Sequence, residues 1–278
     1  MTIVVSVRAN DGIVLATDSA TSFSNASGEV VKIYNNANKL FNLVKGWPIG
    51  AMTYGSGSIG AASISTLSKD LRRRLTAVNS GGSGEDALDR DAYTVQDVAE
   101  KTKAFFQGCY QQAYQDPVPG YFLGYRVCGY SANNPLPEAW EIRIKENGAE
   151  GPDPLYEATH FGPRWAGETE AIDRLVLGIG SRTMEALQQI GLDEPTANHV
   201  VAELIQRLCA TLFLPAMPIQ DAIDLARFLV DAASKFAHFT LRPATVGGPM
   251  EIATITKHEG FKWITRKHYY TGEYNREG

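Results

Sequence analysis

Thr2-Ile3-Val4-Val5-Ser6-Val7-Arg8-Ala9-Asn10-Asp11-Gly12-Ile13-Val14-Leu15-Ala16-Thr17-Asp18 is the stretch from which the rest of the chain can be read. Ile3, Val5 and Val7 alternate with Val4, Ser6 and Arg8, the period of two that a strand imposes. Asn10-Asp11-Gly12 supplies a turn and Ile13 to Ala16 follows as a short buried run, so the chain opens on a hairpin. Lys39 to Val44, a turn at Gly46-Trp47-Pro48, and Ile49 to Tyr54 read as a second strand pair. Four strands are therefore expected before any helix.

Working outward, Gly55-Ser56-Gly57-Ser58-Ile59-Gly60 leads into a helix whose apolar positions Ile64, Leu67, Leu71, Leu75 and Val78 keep a three-to-four-residue period. Arg72-Arg73-Arg74 fan around the polar side of that helix and read as a solvated face. Asn79 to Glu85, with Gly81-Gly82-Ser83-Gly84, reads as a loop. Thr94 with Asp97 forms a capping box in which Asp stands for Glu, and it starts a second helix. Strand patterns return at Tyr121 to Tyr130 and Glu138 to Ile144, followed by a Pro- and Gly-containing region from Asn147 to Trp165 without a clear period. Ser181 can cap a short helix ending at Gly191, Pro195 suits the first turn of another, and Ile219 to Phe236 carries a single apolar stripe. Glu251 to Thr256 and Phe261 to Thr265 close the chain as a strand pair. This order lacks the βαβα alternation of a doubly wound parallel sheet. It predicts an α+β fold, a four-layer αββα sandwich of two antiparallel sheets with helices outside, and it holds residue 2 inside the structure.

Composition narrows the function. The 278 residues are 44% hydrophobic and 21% charged, an ordinary globular balance that excludes collagen-like, disordered and disulfide-scaffold classes. Lys+Arg of 26 against Asp+Glu of 31 gives −5, which argues against a surface built for nucleic-acid phosphates. Cys109, Cys128 and Cys209 show no paired spacing and read as the reduced thiols of a cytoplasmic protein. The five histidines never fall at metal-binding spacing, so neither a metal nor a cofactor is expected. No apolar run approaches the ~18 to 20 residues of a membrane span, and the N-terminus lacks the pattern of a secretory signal.

Two features bear on chemistry. Gly55-x-Gly57-x-x-Gly60 has the form of a dinucleotide fingerprint, but antiparallel hairpins precede it and no acidic residue follows at the right place. Its glycines instead suit a tight turn presenting backbone N–H groups that would serve an oxyanion. The second is Met1-Thr2. Removal of an initiator Met before a small residue would leave a threonine carrying both a hydroxyl and an α-amine, whose pKa of about 7.7 to 8.0 lets it accept the hydroxyl proton near neutrality.

Thr2 to Arg8, Asp11-Gly12-Ile13-Val14-Leu15-Ala16-Thr17-Asp18 and Asn38-Lys39-Leu40-Phe41 together resemble the opening of proteasome β-type subunits and of the related bacterial heat-shock peptidase subunit. The resemblance is carried by about the first 60 residues and is that of a divergent, bacterial-type proteasome-like protein. It implies an Ntn-hydrolase fold, a threonine-type endopeptidase, and a catalytic group of Thr2, Asp18 and Lys39, with Lys39 charged and Asp18 orienting it. It further implies Gly55 as oxyanion donor, Ser22 and Met52 as substrate-binding positions, peptide or unfolded protein as substrate, self-assembly into a ring or stack, and an ATPase or cap partner left open. Because the family is often shorter, 1–278 is expected to be one domain with insertions at 79–92 and 147–165.

The pattern departs from the family late in the chain. Ile179 stands where a Gly-Ser-Gly turn carries serine, and Pro243 and Val246 stand where an Asp and a Ser precede the double glycine Gly247-Gly248. Ser181 and Thr245 are the nearby candidates for support. Two other functions therefore stay open: a catalytically inactive assembly subunit, and an Ntn amidase acting on a small-molecule amide. The inactive α-type members of the family carry an extension ahead of the first strand, which this chain is expected to lack.

Overall fold

The computed structural model describes residues 2–25, 27–76 and 87–267. The chain is a mixed α/β protein whose described strand pairings are all antiparallel.

The opening hairpin is β1 (Ile3–Ala9) and β2 (Gly12–Thr17), with Val4 opposite Thr17 and Ala9 opposite Gly12. Both strands are buried along their whole length, because each face of the hairpin meets a different partner. Two short strands unseen in the sequence follow, β3 (Thr21–Ser24) and β4 (Val30–Tyr34), pairing as a separate ribbon. The expected second pair is β5 (Leu40–Val44) and β6 (Ile49–Gly55). A further two-residue pair, β7 (Ser58–Ile59) and β8 (Ala62–Ser63), leads into α1 (Ile64–Thr76). Among the described residues eight strands, not four, thus precede the first helix: β3, β7 and β8 are short or polar, while β4, Val30-Val31-Lys32-Ile33-Tyr34, is strand-like in composition yet falls outside the expected pairs.

Helix α2 (Val95–Ala113) starts at the expected box: Asp97 N donates to Thr94 Oγ1 at 3.0 Å and Thr94 N to Asp97 Oδ2 at 3.3 Å. Strands β9 (Phe122–Gly129) and β10 (Glu138–Lys145) follow as expected. The 147–165 region, expected to be an insertion, supplies β11 (Gly148–Pro154) and most of β12 (Gly162–Gly167), which close one edge of each sheet. Their pairing rests on backbone bonds, so the glycine-rich sequence gave no period to read. The other expected insertion, 79–92, lies mostly outside the described residues.

The helical segment after β12 begins as α3 (Glu170–Ile172), continues as a π-helical turn over Asp173–Leu177, and stops at Gly178 with φ of +76°. Next come α4 (Thr183–Gln189), α5 (Glu194–Leu208, with Pro195 in its first turn) and α6 (Ile219–Phe239). Ser181 does not cap α4 as expected: its N–H donates to Glu170 Oε2 at 2.7 Å, and Thr183 Oγ1 accepts from Gly180 N instead. Strands β13 (Glu251–Thr256) and β14 (Gly260–Thr265) end the described chain.

One sheet runs β12-β1-β2-β13-β14 and the other β11-β10-β9-β6-β5. Strand alternation sorts their side chains. Ile3, Val5, Val7, Val14 and Ala16 of the first sheet pack with Ala222, Ala226, Leu229 and Ala233 of α6. Small residues on that stripe let the helix lie close to β1 and β2. On the opposite face, Val4, Ile13 and Leu15 meet Leu40, Met52, Tyr54 and Cys128 of the second sheet. The far face of the second sheet, with Ile49, Ala51, Leu123, Tyr125 and Val127, packs against Leu67 and Leu71 of α1 and Val98 and Phe106 of α2. Each large side chain buried this way contributes roughly 1.5 to 3 kcal/mol, so residues 2 to 17 are anchored from both sides.

Candidate active site

Because β1 is central in its sheet, the residue before it is held as firmly as the strand. Thr2 O accepts from Glu168 N at 2.8 Å, and Thr2 is buried. At the end of β2 the chain turns, and Asp18 collects four donors. Its Oδ1 accepts from Lys39 Nζ at 2.7 Å and Ile3 N at 3.1 Å, and its Oδ2 from Ala20 N and Gly247 N, each at 3.0 Å. One carboxylate therefore ties together β1, its own turn, the loop before β13, and the lysine ahead of β5. Such a carboxylate is fully satisfied, the condition for burying charge without a large penalty.

Lys39 is buried too, with 7% of its side chain exposed against 1% for Asp18. Burial pushes the Lys39 ammonium below the ordinary lysine range; the charge and hydrogen bond of Asp18 oppose this, and the positive charge of Lys267 adds to it.

Thr2 and Lys39 line one cleft of about 680 Å³, together with Ser22, Thr53, Tyr54, Gly55 and Ser56. Thr53 N donates to Lys39 O at 2.9 Å, which fixes β6 beside the lysine. At the end of β6, Gly55 has φ of +87°, and a Cβ there would fall 2.5 Å from Phe122 O, so only glycine fits the turn. Tyr54 behind it donates to Glu141 Oε1 at 2.9 Å, and Arg126 Nε meets the same oxygen at 2.8 Å. This buried polar group between the sheets steadies the cleft wall.

Of the residues singled out in the sequence, Thr2, Asp18, Lys39, Gly55 and Ser22 come together here. Met52 does not: it is wholly buried in the apolar layer between the sheets. It packs there with Leu40, Val4 and Leu15 and does not line the cleft. Ser181 and Thr245 are also absent from the cleft wall. Ser181 holds Glu170, and Val246 packs in the apolar cluster under α6.

Three further participants were not singled out in the sequence. Gly247 reaches Asp18 from 229 residues away, and its carbonyl accepts from Ser19 N at 2.9 Å. Lys267, just beyond β14, donates to Ser19 Oγ at 2.6 Å and pairs with buried Glu251 at 3.3 Å. Burial pushes Lys267 below its ordinary range, with Glu251 opposing. Only the unusual double glycine at 247–248 could have signalled any of these.

Among the described residues no group of three or more His, Cys, Asp or Glu could hold a metal ion, and no helix is long and apolar enough to cross a membrane.

No protein-family model and no curated protein matches the chain. Solved structures do. Anbu (ancestral beta-subunit) from Yersinia bercovieri is 14% identical with a TM-score of 0.54, over 96% of this chain and 89% of that one. The Anbu complex from Pseudomonas aeruginosa, described as a helical assembly, is 15% identical with a TM-score of 0.51, over 96% and 88%. These findings overturn the expected membership of the proteasome β-type and heat-shock peptidase family: no family match supports it, and the similarity falls on Anbu at an identity that establishes fold alone.

Proposed function

We propose that the chain is a threonine-type peptidase of the N-terminal-nucleophile kind, acting through Thr2 once Met1 is removed. The observation that carries this reading is that the buried Lys39–Asp18 pair opens on the same cleft that Thr2 and Gly55 line. Thr2 Oγ attacks the scissile carbonyl, and its proton passes to the freed α-amine, while the Lys39 ammonium favours the alkoxide form of the hydroxyl. The Gly55 backbone N–H meets the developing oxyanion. Collapse protonates and expels the amine product, and water then resolves the acyl-enzyme with the same base. Ser181 and Thr245 take no part.

The succession of α6, the two facing sheets, and α1 with α2 is read as the four-layer αββα sandwich of an Ntn hydrolase, formed by one domain. The cleft extends from Ser22 and Phe23 past Gly55 to Tyr114 and Tyr121, which suits an extended peptide better than a small amide. Exposed Phe228, Phe239 and Leu241 on and after α6, with Leu208 and Leu214 near α5, leave apolar surface of the kind that associating copies cover. A helical assembly among the similar structures supports self-association. The unpaired cysteines fit a cytoplasmic setting.

An inactive assembly subunit is the second reading. Neither Ser181 nor Thr245, the expected supports, lines the cleft, and this favours it. Digestion of a mixed-sequence peptide library by the wild type and by Thr2→Ala separates the two. Cleavage present only in the wild type supports the peptidase; identical, uncleaved libraries favour the assembly subunit.

A further inference from the structure

A second pocket, of about 240 Å³, lies against the cleft. Asn38 and Ser65 line both spaces. The pocket is built from three places. Helix α1 contributes Ser65, Lys69 and Arg72, whose spacing of four and three puts them on one face. Lys45 follows β5, and Arg266 and Lys267 follow β14. Its one carboxylate, Glu251, is engaged by Lys267. Among the described residues, no carboxylate pairs with Lys45, Lys69, Arg72 or Arg266.

Four cations without a carboxylate partner, one of them Arg266 stacked 4.9 Å over the Trp263 ring, converge on one small concavity and repel one another unless something negative sits among them. Arg72 departs from the solvated role its sequence suggested: it is half-buried, and its Nε is shielded from solvent without an acceptor. A buried guanidinium donor left without a partner is uncommon in folded proteins and marks a place for one. Burial, and then the charge of Arg266, hold Arg72 below its ordinary range, with Tyr125 opposing. Arg73 and Arg74, by contrast, do face outward.

We propose that this pocket binds an anionic group of the phosphate or carboxylate class, seated between Arg72 and Arg266 next to the candidate catalytic cleft. A guanidinium offers paired donors that match either oxyanion. Through Asn38 and Ser65 the anion would adjoin a ligand in the cleft, so an acidic side chain of a bound peptide is one source and a free phosphate-type ion the other. The anion site stands on the pocket alone; only its use by a peptide rests on the peptidase reading.

Calorimetric titration of the full chain with pyrophosphate tests this, and repeating it on Thr2→Ala keeps it independent of catalysis. Saturable binding of one ion per chain is expected, weakened roughly tenfold or more by Arg72→Gln or Arg266→Gln. Lys235→Gln, which alters a cation paired with Asp231 on α6, should leave it unchanged. If circular dichroism shows either arginine variant unfolded, Lys69→Gln replaces it with the same expectation. Competition by an end-blocked peptide carrying one Asp, but not by its Asn counterpart, supports the site with peptide as source. Pyrophosphate binding indifferent to both peptides supports the site with a free anion as source. Absence of saturable binding, or equal affinity in the wild type and the pocket variants, overturns the proposal.

Discussion

Lys39 Nζ lies 2.7 Å from Asp18 Oδ1, and both side chains are almost wholly withdrawn from solvent. Asp18 also holds the backbone N–H groups of Ile3, Ala20 and Gly247. Removing the carboxylate strands a buried ammonium, two buried backbone donors and the part-buried Gly247 N–H at once. Asp18→Ala is therefore expected to lose at least about 3 to 5 kcal/mol, whereas Thr2→Ala, which removes a hydroxyl at the cleft, should stay within about 1 kcal/mol of wild type. Urea unfolding of the two variants checks the contrast.

The direction of the Lys39 shift sets a pH dependence. The α-amine must be neutral to accept the hydroxyl proton while Lys39 stays charged, so acylation of Thr2 should rise with pH as the amine deprotonates and fall again as Lys39 loses its proton, on a limb below the ordinary lysine range. Lys39→Arg stays charged throughout and should lose that limb. The folded chain also binds fewer protons at Lys39 than the unfolded chain between the two pKa values. The lysine's contribution to stability consequently grows with pH across that window. Rates of modification by a β-lactone across pH, for the wild type and Lys39→Arg, test the assignment.

The Gly55 turn makes a steric prediction. With φ of +87° and a virtual Cβ 2.5 Å from Phe122 O, Gly55→Ala must shift the backbone that carries the proposed oxyanion donor. Gly57→Ala meets only Thr21 Oγ1 at 3.5 Å, an ordinary contact. Thermal unfolding and β-lactone labelling should both suffer in the first variant, with labelling slowed 100-fold or more as is usual for a lost oxyanion donor, and be nearly unchanged in the second.

Met52 gives the opposite kind of test. As a core residue its truncation to Ala should cost about 2 to 5 kcal/mol without altering which peptides are cleaved. A changed cleavage pattern in a variant of wild-type stability would return Met52 to the substrate pocket.

Much of this was legible in the sequence, and the remainder divides along physical lines. The strands of residues 3 to 17 and 40 to 55 were readable because each is apolar on a face that meets core. β3 and β11 were not, being short and polar or built on Gly and Pro, and β4 was missed although its Val, Ile and Tyr suit a strand, because it faces solvent and joins neither main sheet. Thr2, Asp18, Lys39 and Gly55 are close in sequence and stood out as a pattern. Gly247, Glu251 and Lys267 join them from the far end of the chain, where no local spacing announces the meeting. Met52 was misplaced by one alternation of its strand: it shares the intersheet face with Tyr54, while Thr53 between them faces Lys39's side.

The central claim, that Thr2 is a terminal nucleophile served by the Lys39–Asp18 pair, is met most directly by intact mass spectrometry before and after treatment with a β-lactone. Loss of Met1 and a single adduct mapping to Thr2, absent in Thr2→Ala and much slowed in Lys39→Ala, is the predicted result. Retained Met1 with no adduct at Thr2 would contradict it.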